Sequence, residues 1–208
     1  PPRSTLFPYT TLFRSMLQGE GGEKDRARRA AYERPADVDR LLEVLADISA
    51  LHLNEQVKAG ADCLQIFESW AEGLSPALFE RLVIKPTRRL VERLRALGCA
   101  VPVIGFPRGA GAQTETYALQ TGVTALGVDT QTPASFLRGG QTSAAMALQG
   151  NLDPQLLVVG GEALEKGVRD VVESFRNAPH IFNLGHGITP EATPENVARL
   201  VALVKGHA

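Results

Sequence analysis

The chain has 208 residues, with 22 Lys and Arg against 23 Asp and Glu, a formal net charge of −1. Its 44% apolar and 22% charged content is ordinary for a globular protein of one or two domains. The charge balance argues against a dedicated nucleic-acid binder, which needs a basic excess to neutralise phosphates. No apolar run approaches the roughly 20 residues that a membrane-spanning helix needs.

Cys63 and Cys99 lie in apolar surroundings without CxxC spacing. They support neither a disulfide framework nor a cysteine zinc site, and they fit a reducing cytosol, so a cytoplasmic location is expected. His52, His180, His186 and His207 are too scattered along the chain to point to a metal cage.

Residues 1–15 (PPRSTLFPYTTLFRS) differ from the rest of the chain. They hold three prolines, three aromatics, two arginines and no acid, and Thr-Leu-Phe occurs twice. Pro8 interrupts the one apolar stretch, and no small-residue cleavage site comes after it, which argues against a secretory signal. The segment looks like translated adapter or linker read-through. It is expected to be non-native and disordered, with the domain running from 16 to 208. Without Arg3 and Arg14 the remainder has 20 basic residues against the same 23 acids, net −3.

The rest alternates helix and strand. The charged stretch 21–35 reads as a solvated connection or short exposed helix. Val38, Leu41, Leu42, Leu45, Ile48 and Leu51 recur at helical spacing, which predicts a helix over 35–60 stopped by Gly60. Residues 61–69 read as a short buried strand. Ser75 and Pro76 open a helix as cap and first residue. Pro86 is expected to break or kink it, and Gly98 ends the next helical stretch. Further strands are predicted over 101–106, 124–129, 144–151 and 180–184. Helices are predicted over 114–120, 133–137, 161–176 and 194–204, the last capped by Thr193.

Five apolar strands with helical links imply right-handed crossovers and a parallel sheet. An open doubly wound sheet would want a glycine fingerprint after its first strand. The run Gly105–Gly111 has the wrong spacing, and Pro107 interrupts it. A closed (β/α)8 barrel accounts better for the polar residues at strand ends: Glu68-Ser69, Arg108, Asp129, Asn151–Asp153 and His186. Barrel active sites gather at those C-terminal ends.

Three segments carry a resemblance: Phe67-Glu68-Ser69-Trp70-Ala71, Gln149-Gly-Asn-Leu-Asp-Pro154 and Phe182-Asn-Leu-Gly-His-Gly187. With Pro190 and Thr193-Pro-Glu-Asn-Val197 coming after them in order, the chain resembles the uroporphyrinogen decarboxylase family over roughly residues 16–208. The resemblance implies an α/β fold, a (β/α)8 TIM barrel of about 340–360 residues. This chain would hold its last five β/α units.

The resemblance also implies a reaction: four acetate side chains of a cyclic tetrapyrrole with eight carboxylates become methyl groups, without metal or organic cofactor. Protonation makes the ring an electron sink, and a buried aspartate near the ring nitrogens stabilises the developing cation. That aspartate and an arginine-bearing loop belong to the family's N-terminal region, which this chain lacks. The family tyrosine falls at Ser15-Met16 and is missing too, so no catalytic residue is retained and the isolated chain is expected to be inactive.

Ser69 matches the substrate-contacting serine, and His186 matches the histidine after the last strand. That imidazole can bind a carboxylate or pass a proton, and Gly185 and Gly187 are expected to let the backbone approach a ligand. Phe67 either walls the tetrapyrrole pocket or belongs to plain core. Arg108 could take a carboxylate bidentately, but a solvated loop arginine is the reading preferred from sequence. Asp129 and Asp153 match no family position, and Asp153-Pro154 reads as a turn.

The implied partners are a small-molecule substrate and a second copy of the parent protein, with no nucleic acid and no membrane. Two rivals stand beside this reading: a non-catalytic truncated product, and a zinc-dependent barrel methyltransferase. The zinc rival fares poorly, because Cys63 begins its strand rather than ending it and Cys99 precedes another, so both point away from the active face.

Overall fold

The computed structural model describes residues 4–7, 25–68, 71–133, 135, 137, 146–176 and 178–206. Ser69 lies outside the described residues, as do residues 134 and 136 of the predicted turn at 133–137 and the first residues of the strand expected from 144. The chain divides into two compact units, Pro1–Ala125 and Leu126–Ala208.

In the first unit, α1 (Asp25–Glu33) leads into α2 (Pro35–Lys58), and β2 (Cys63–Glu68) comes next. β1 (Ser4–Phe7) pairs with β2 in parallel, Ser4 opposite Cys63 and Phe7 opposite Ile66. A segment expected to stand outside the fold thus forms a strand. A strand edge offers unpaired N–H and C=O groups, and an extended apolar segment can take them.

α1 is not the exposed helix expected from its charge. Ala27, Ala30 and Ala31 recur on one face and are buried. The Arg81 guanidinium donates to the carbonyls of Ala31 and Pro35 and to the Asp39 carboxylate, fixing the junction of α1 with α2.

The helix after β2 starts as the sequence predicts. Ser75 Oγ accepts from Leu78 N–H at 3.4 Å, and α3 (Pro76–Phe79) begins. Pro86 does not break the run. A π-helical turn, Glu80–Ile84, precedes α4 (Lys85–Ala96), and Lys85 N–H donates five residues back to Glu80 O. The wider turn ahead of Pro86 lets the axis continue past a residue that cannot donate.

β3 (Val103–Pro107) pairs in parallel with β2, Gly105 opposite Ile66 and Phe106 opposite Phe67. After α5 (Thr114–Gln120), Thr124 exchanges hydrogen bonds with Val103, and β4 (Ala125–Gly127) begins. Leu42, Leu53, Leu64, Ile66, Phe79, Leu90, Leu94, Val103 and Tyr117 are buried at 2% exposure or less and form this unit's core.

The second unit holds β5 (Ala147–Leu152) and β6 (His180–Leu184), parallel, with Leu148 opposite His180 and Leu152 opposite Leu184. α6 (Gln155–Val159), α7 (Gly161–Ser174) and α8 (Pro194–Gly206) complete it. Leu152, Leu157, Leu164, Val168 and Leu200 form its core, with Phe182 and Leu184 packed against them. Thr193 Oγ1 accepts from Asn196 N–H, the cap expected for α8.

Candidate functional site

Side chains alternate across a strand, so one contact fixes the facing of a whole register. A Cβ placed on Gly105 would meet Tyr117 of α5 at 2.6–2.7 Å, so Gly105 faces the helices. Ile66 and Glu68, on the same parity through the β2–β3 register, face them too. Gln65, Phe67, Ile104 and Phe106 therefore line the opposite face. Exposure agrees: Leu64, Ile66 and Val103 are at 0%, whereas Gln65, Ile104 and Phe106 retain 6–8%. In a β/α barrel this second face is the interior.

That assignment separates the two strand-end candidates on β2. Phe67 is half-buried on the interior face, and its ring meets Phe106 edge-on with centroids 5.6 Å apart. Glu68 does not join the site expected at the strand ends. It is 2% exposed on the helical side, where its charge acts on the Tyr117 phenol. Burial, first of all, pushes that phenol far above its ordinary value, against a lowering contribution from Thr87.

The ladder runs one bond past β3. Arg108 N–H donates to Glu68 O at 3.0 Å, so position 108 keeps the interior parity of Ile104 and Phe106. The next residue, Gly109, has φ +74°, and a Cβ there would lie 2.9 Å from Glu72 Cβ, so the loops after β2 and β3 are in contact.

In the second unit most strand-end polar groups are consumed by the backbone. Asp129 Oδ1 accepts from the N–H of Gln131 and Thr132 and from Thr132 Oγ1 at 2.7–3.1 Å. Asn151 Nδ2 donates to the carbonyls of Asp129 and Thr132 at 3.0 and 2.9 Å. Asp153 Oδ1 accepts from Gln155 N–H at 2.9 Å, the turn expected of Asp153-Pro154. Asp129 and Asn151 thus shape the strand ends through turns and ties.

His186 behaves differently. Gly185 N–H donates to Leu152 O at 2.8 Å, which carries the β5–β6 pairing to the residue before it. A Cβ on Gly185 would collide with the backbone of Thr130. The close approach that Gly185 permits is therefore to Thr130, not to a ligand. Among the described residues nothing lies within 4 Å of a Cβ on Gly187. The His186 ring is exposed, with Nδ1 3.3 Å from Gly187 O. In the tautomer that donates Nδ1–H to this carbonyl, Nε2 is the open ring nitrogen.

Sequence reasoning gave no role to His180. Its Nε2 donates to Gly150 O at 2.6 Å, and its ring stacks on Phe175 at 4.3 Å. Burial holds its pKa below the usual value, partly opposed by the Gly150 hydrogen bond. This is a structural histidine at the start of β6. The pattern Phe175…His180…Phe182 was the signal that could have marked it.

A groove of about 280 Å³ lies elsewhere, on the helical side, lined by Asp39, Leu42, Glu43, Arg81, Lys85, Pro86 and Arg89. Arg81 and Arg89 pair there with Asp39 and Glu43, so its charges largely satisfy one another. No three His, Cys, Asp or Glu converge among the described residues. Cys63 opens β2 and Cys99 precedes β3, at the strand ends opposite to Phe67 and Arg108.

Uroporphyrinogen decarboxylase of Maricaulis maris is 46% identical over 214 residues, covering all of this chain and 61% of the relative. That of Hyphomonas neptunium is 41% identical, covering 99% of the chain and 61% of the relative. The chain thus spans about three-fifths of the curated relatives it matches. A methyltransferase from Methanosarcina mazei shares the fold at TM-score 0.79 and 16% identity, over 99% of this chain and 58% of that one. The uroporphyrinogen decarboxylase (URO-D) family model matches residues 8–207. With parallel β/α units, strand-end motifs and a family match over nearly the whole chain, this protein belongs to the uroporphyrinogen decarboxylase family, whose fold is a (β/α)8 barrel held here in part.

Proposed function

We propose that this chain is the C-terminal part of an enzyme that decarboxylates the four acetate side chains of uroporphyrinogen III to give coproporphyrinogen III. The observation that carries the reading is the family match over residues 8–207. Both C-terminal motifs also sit at strand ends, Gln149–Pro154 on β5 and Phe182–Gly187 on β6.

Loss of carbon dioxide leaves electron density on the arm, and a protonated pyrrole accepts it. The carboxylate that stabilises that cation is supplied by the N-terminal portion of the family. This chain supplies substrate contacts. His186 offers Nε2 to a carboxylate, or to a proton passing near neutral pH. Ser69 offers a hydroxyl to a substrate carboxylate, and Phe67 offers an apolar wall seated on Phe106. The enzyme works in the cytoplasm as a homodimer.

The test joins residues 16–208 to the N-terminal part of the Maricaulis maris relative, taken through the position that matches Ser15 so that the family tyrosine is included. Chromatography then follows coproporphyrinogen III formed from uroporphyrinogen III. Turnover by the fusion and none by the 208-residue chain is the expected pair of results. A folded fusion without turnover refutes the proposal, and turnover by the short chain refutes its dependence on the missing region.

A further inference from the structure

Arginine is seldom left half-buried without a counter-charge, because desolvating a guanidinium is costly unless an anion or carbonyls replace the lost water. Unit Pro1–Ala125 shows what arginines do here when the partner is part of the fold. Arg81 meets two carbonyls and Asp39, Arg89 meets Asp47 at 2.9 Å, and Arg95 meets the carbonyls of Cys99 and Val101. Arg108 breaks the pattern. It is half-buried, yet among the described residues its guanidinium has neither hydrogen bond nor ion pair. Glu72 is the acid whose backbone borders the adjacent Gly109, and it forms no ion pair with Arg108.

The Arg108 N–H is held by Glu68 O, and its parity places it on the interior face, one step above the Phe67–Phe106 ring pair. Aromatic rings below and a guanidinium without an anionic partner among the described residues above make a site for an apolar ring that carries a carboxylate. A planar guanidinium can hold such a group bidentately.

We propose that Arg108 binds a carboxylate arm of the tetrapyrrole at the C-terminal end of β3 and acts as a specificity-determining residue. The proposal rests on the substrate reading above and adds to it a cation on this chain, separate from His186 and Ser69.

Binding to the 208-residue chain tests it, read by porphyrin fluorescence with two probes. One is uroporphyrin I, with eight carboxylates; the other is its octamethyl ester, with none. Arg108→Gln is expected to weaken uroporphyrin about tenfold, the usual scale for a lost hydrogen bond to a charged group. Arg108→Lys recovers part of that loss, because the charge survives without the fork. Ester binding is unchanged by either variant. Arg93→Gln, at an exposed position on α4, leaves both probes unchanged.

Equal uroporphyrin binding by wild type and Arg108→Gln overturns the assignment while leaving the substrate reading intact. Equal losses for acid and ester also overturn it, since the arginine then acts through packing. A wild-type chain that binds no uroporphyrin overturns the substrate reading for this chain, and the inference with it.

Discussion

Gly105 is where fold and site meet on β3, and Gly105→Ala is the perturbation that probes both. The added methyl would lie 2.6 Å from Tyr117 Cε1, 2.7 Å from Tyr117 Oη and 2.9 Å from Val123 Cγ1. Comfortable carbon contacts are about 3.5–4.0 Å, so each overlap approaches an ångström. Tyr117 is fully buried and Val123 is 5% exposed, so neither can swing into solvent. Overpacking of this kind costs typically 1–3 kcal/mol, and three simultaneous overlaps place Gly105→Ala near about 3 kcal/mol. Tyr117→Phe supplies the control. The Tyr117 hydroxyl is buried beside the Thr87 side chain, which lowers its pKa, so its removal alone is expected to change stability by no more than about 1 kcal/mol, the usual net worth of one hydrogen bond. In the Gly105→Ala background the same change removes one overlap and should return about 0.5–1 kcal/mol. Urea denaturation followed by far-UV circular dichroism gives all four stabilities. Additive effects in the double mutant, or Gly105→Ala within about 0.5 kcal/mol of wild type, would show that Gly105 does not face α5. The interior parity of Phe106 and Arg108 would fall with it.

Gly185→Ala should destabilise the second unit more than a surface change does, by about 2–3 kcal/mol, because its Cβ meets the Thr130 backbone, which cannot rotate away; amide exchange of the β5–β6 pair reads the loss. His180 is held below the usual histidine value by burial, so the unfolded chain binds its proton first as pH falls. Its contribution is therefore full above about pH 6.5 and is lost as pH falls through the folded value. His180→Gln keeps a donor for Gly150 O, and its stability should change less than wild type between pH 7 and 5; equal pH slopes refute the assignment. In the N-terminally completed protein, His186→Ala should lower kcat/KM about tenfold or more at unchanged thermal stability, since the ring is exposed. A fall in melting temperature that accounts for the lost activity refutes a substrate-contacting role.

Much of the fold was legible because its signals are local. α5 and β6 stand at the predicted residues, and α2, α7 and α8 within two or three. Each has strong apolar periodicity, a capping residue or a glycine stop, which act within a turn or two of the chain. Pro86 was misread because proline's effect depends on the turn before it, and a π turn is invisible to spacing rules. α1 was misread because its buried face is made of alanines, which add little to a hydrophobic pattern crowded with arginines. The strands were predicted slightly too long at 61–69 and 124–129. Residues past the ladder, such as Asp129, use side-chain oxygens to turn the chain.

The site was legible only in outline, and the reason is parity. Grouping polar residues at strand ends treats Glu68, Arg108, Asp129 and Asn151 alike, because each stands at or just past the end of a strand. A strand has two faces, and only one of them is the barrel interior. Glu68 lies on the other, in phase with Ile66 and opposite the register that carries Phe67. That phase could be read from the alternation of Leu64, Ile66 and Glu68, but only once a contact such as Gly105 with Tyr117 says which phase meets the helices. Backbone demand then removes Asp129 and Asn151, whose polar atoms hold turns. In the first unit, parity leaves Phe67 and Arg108 on the interior face. A solvated loop arginine needs no fixed facing, whereas this one is anchored by its own N–H at the end of an interior register, with no anion of the fold to meet it among the described residues.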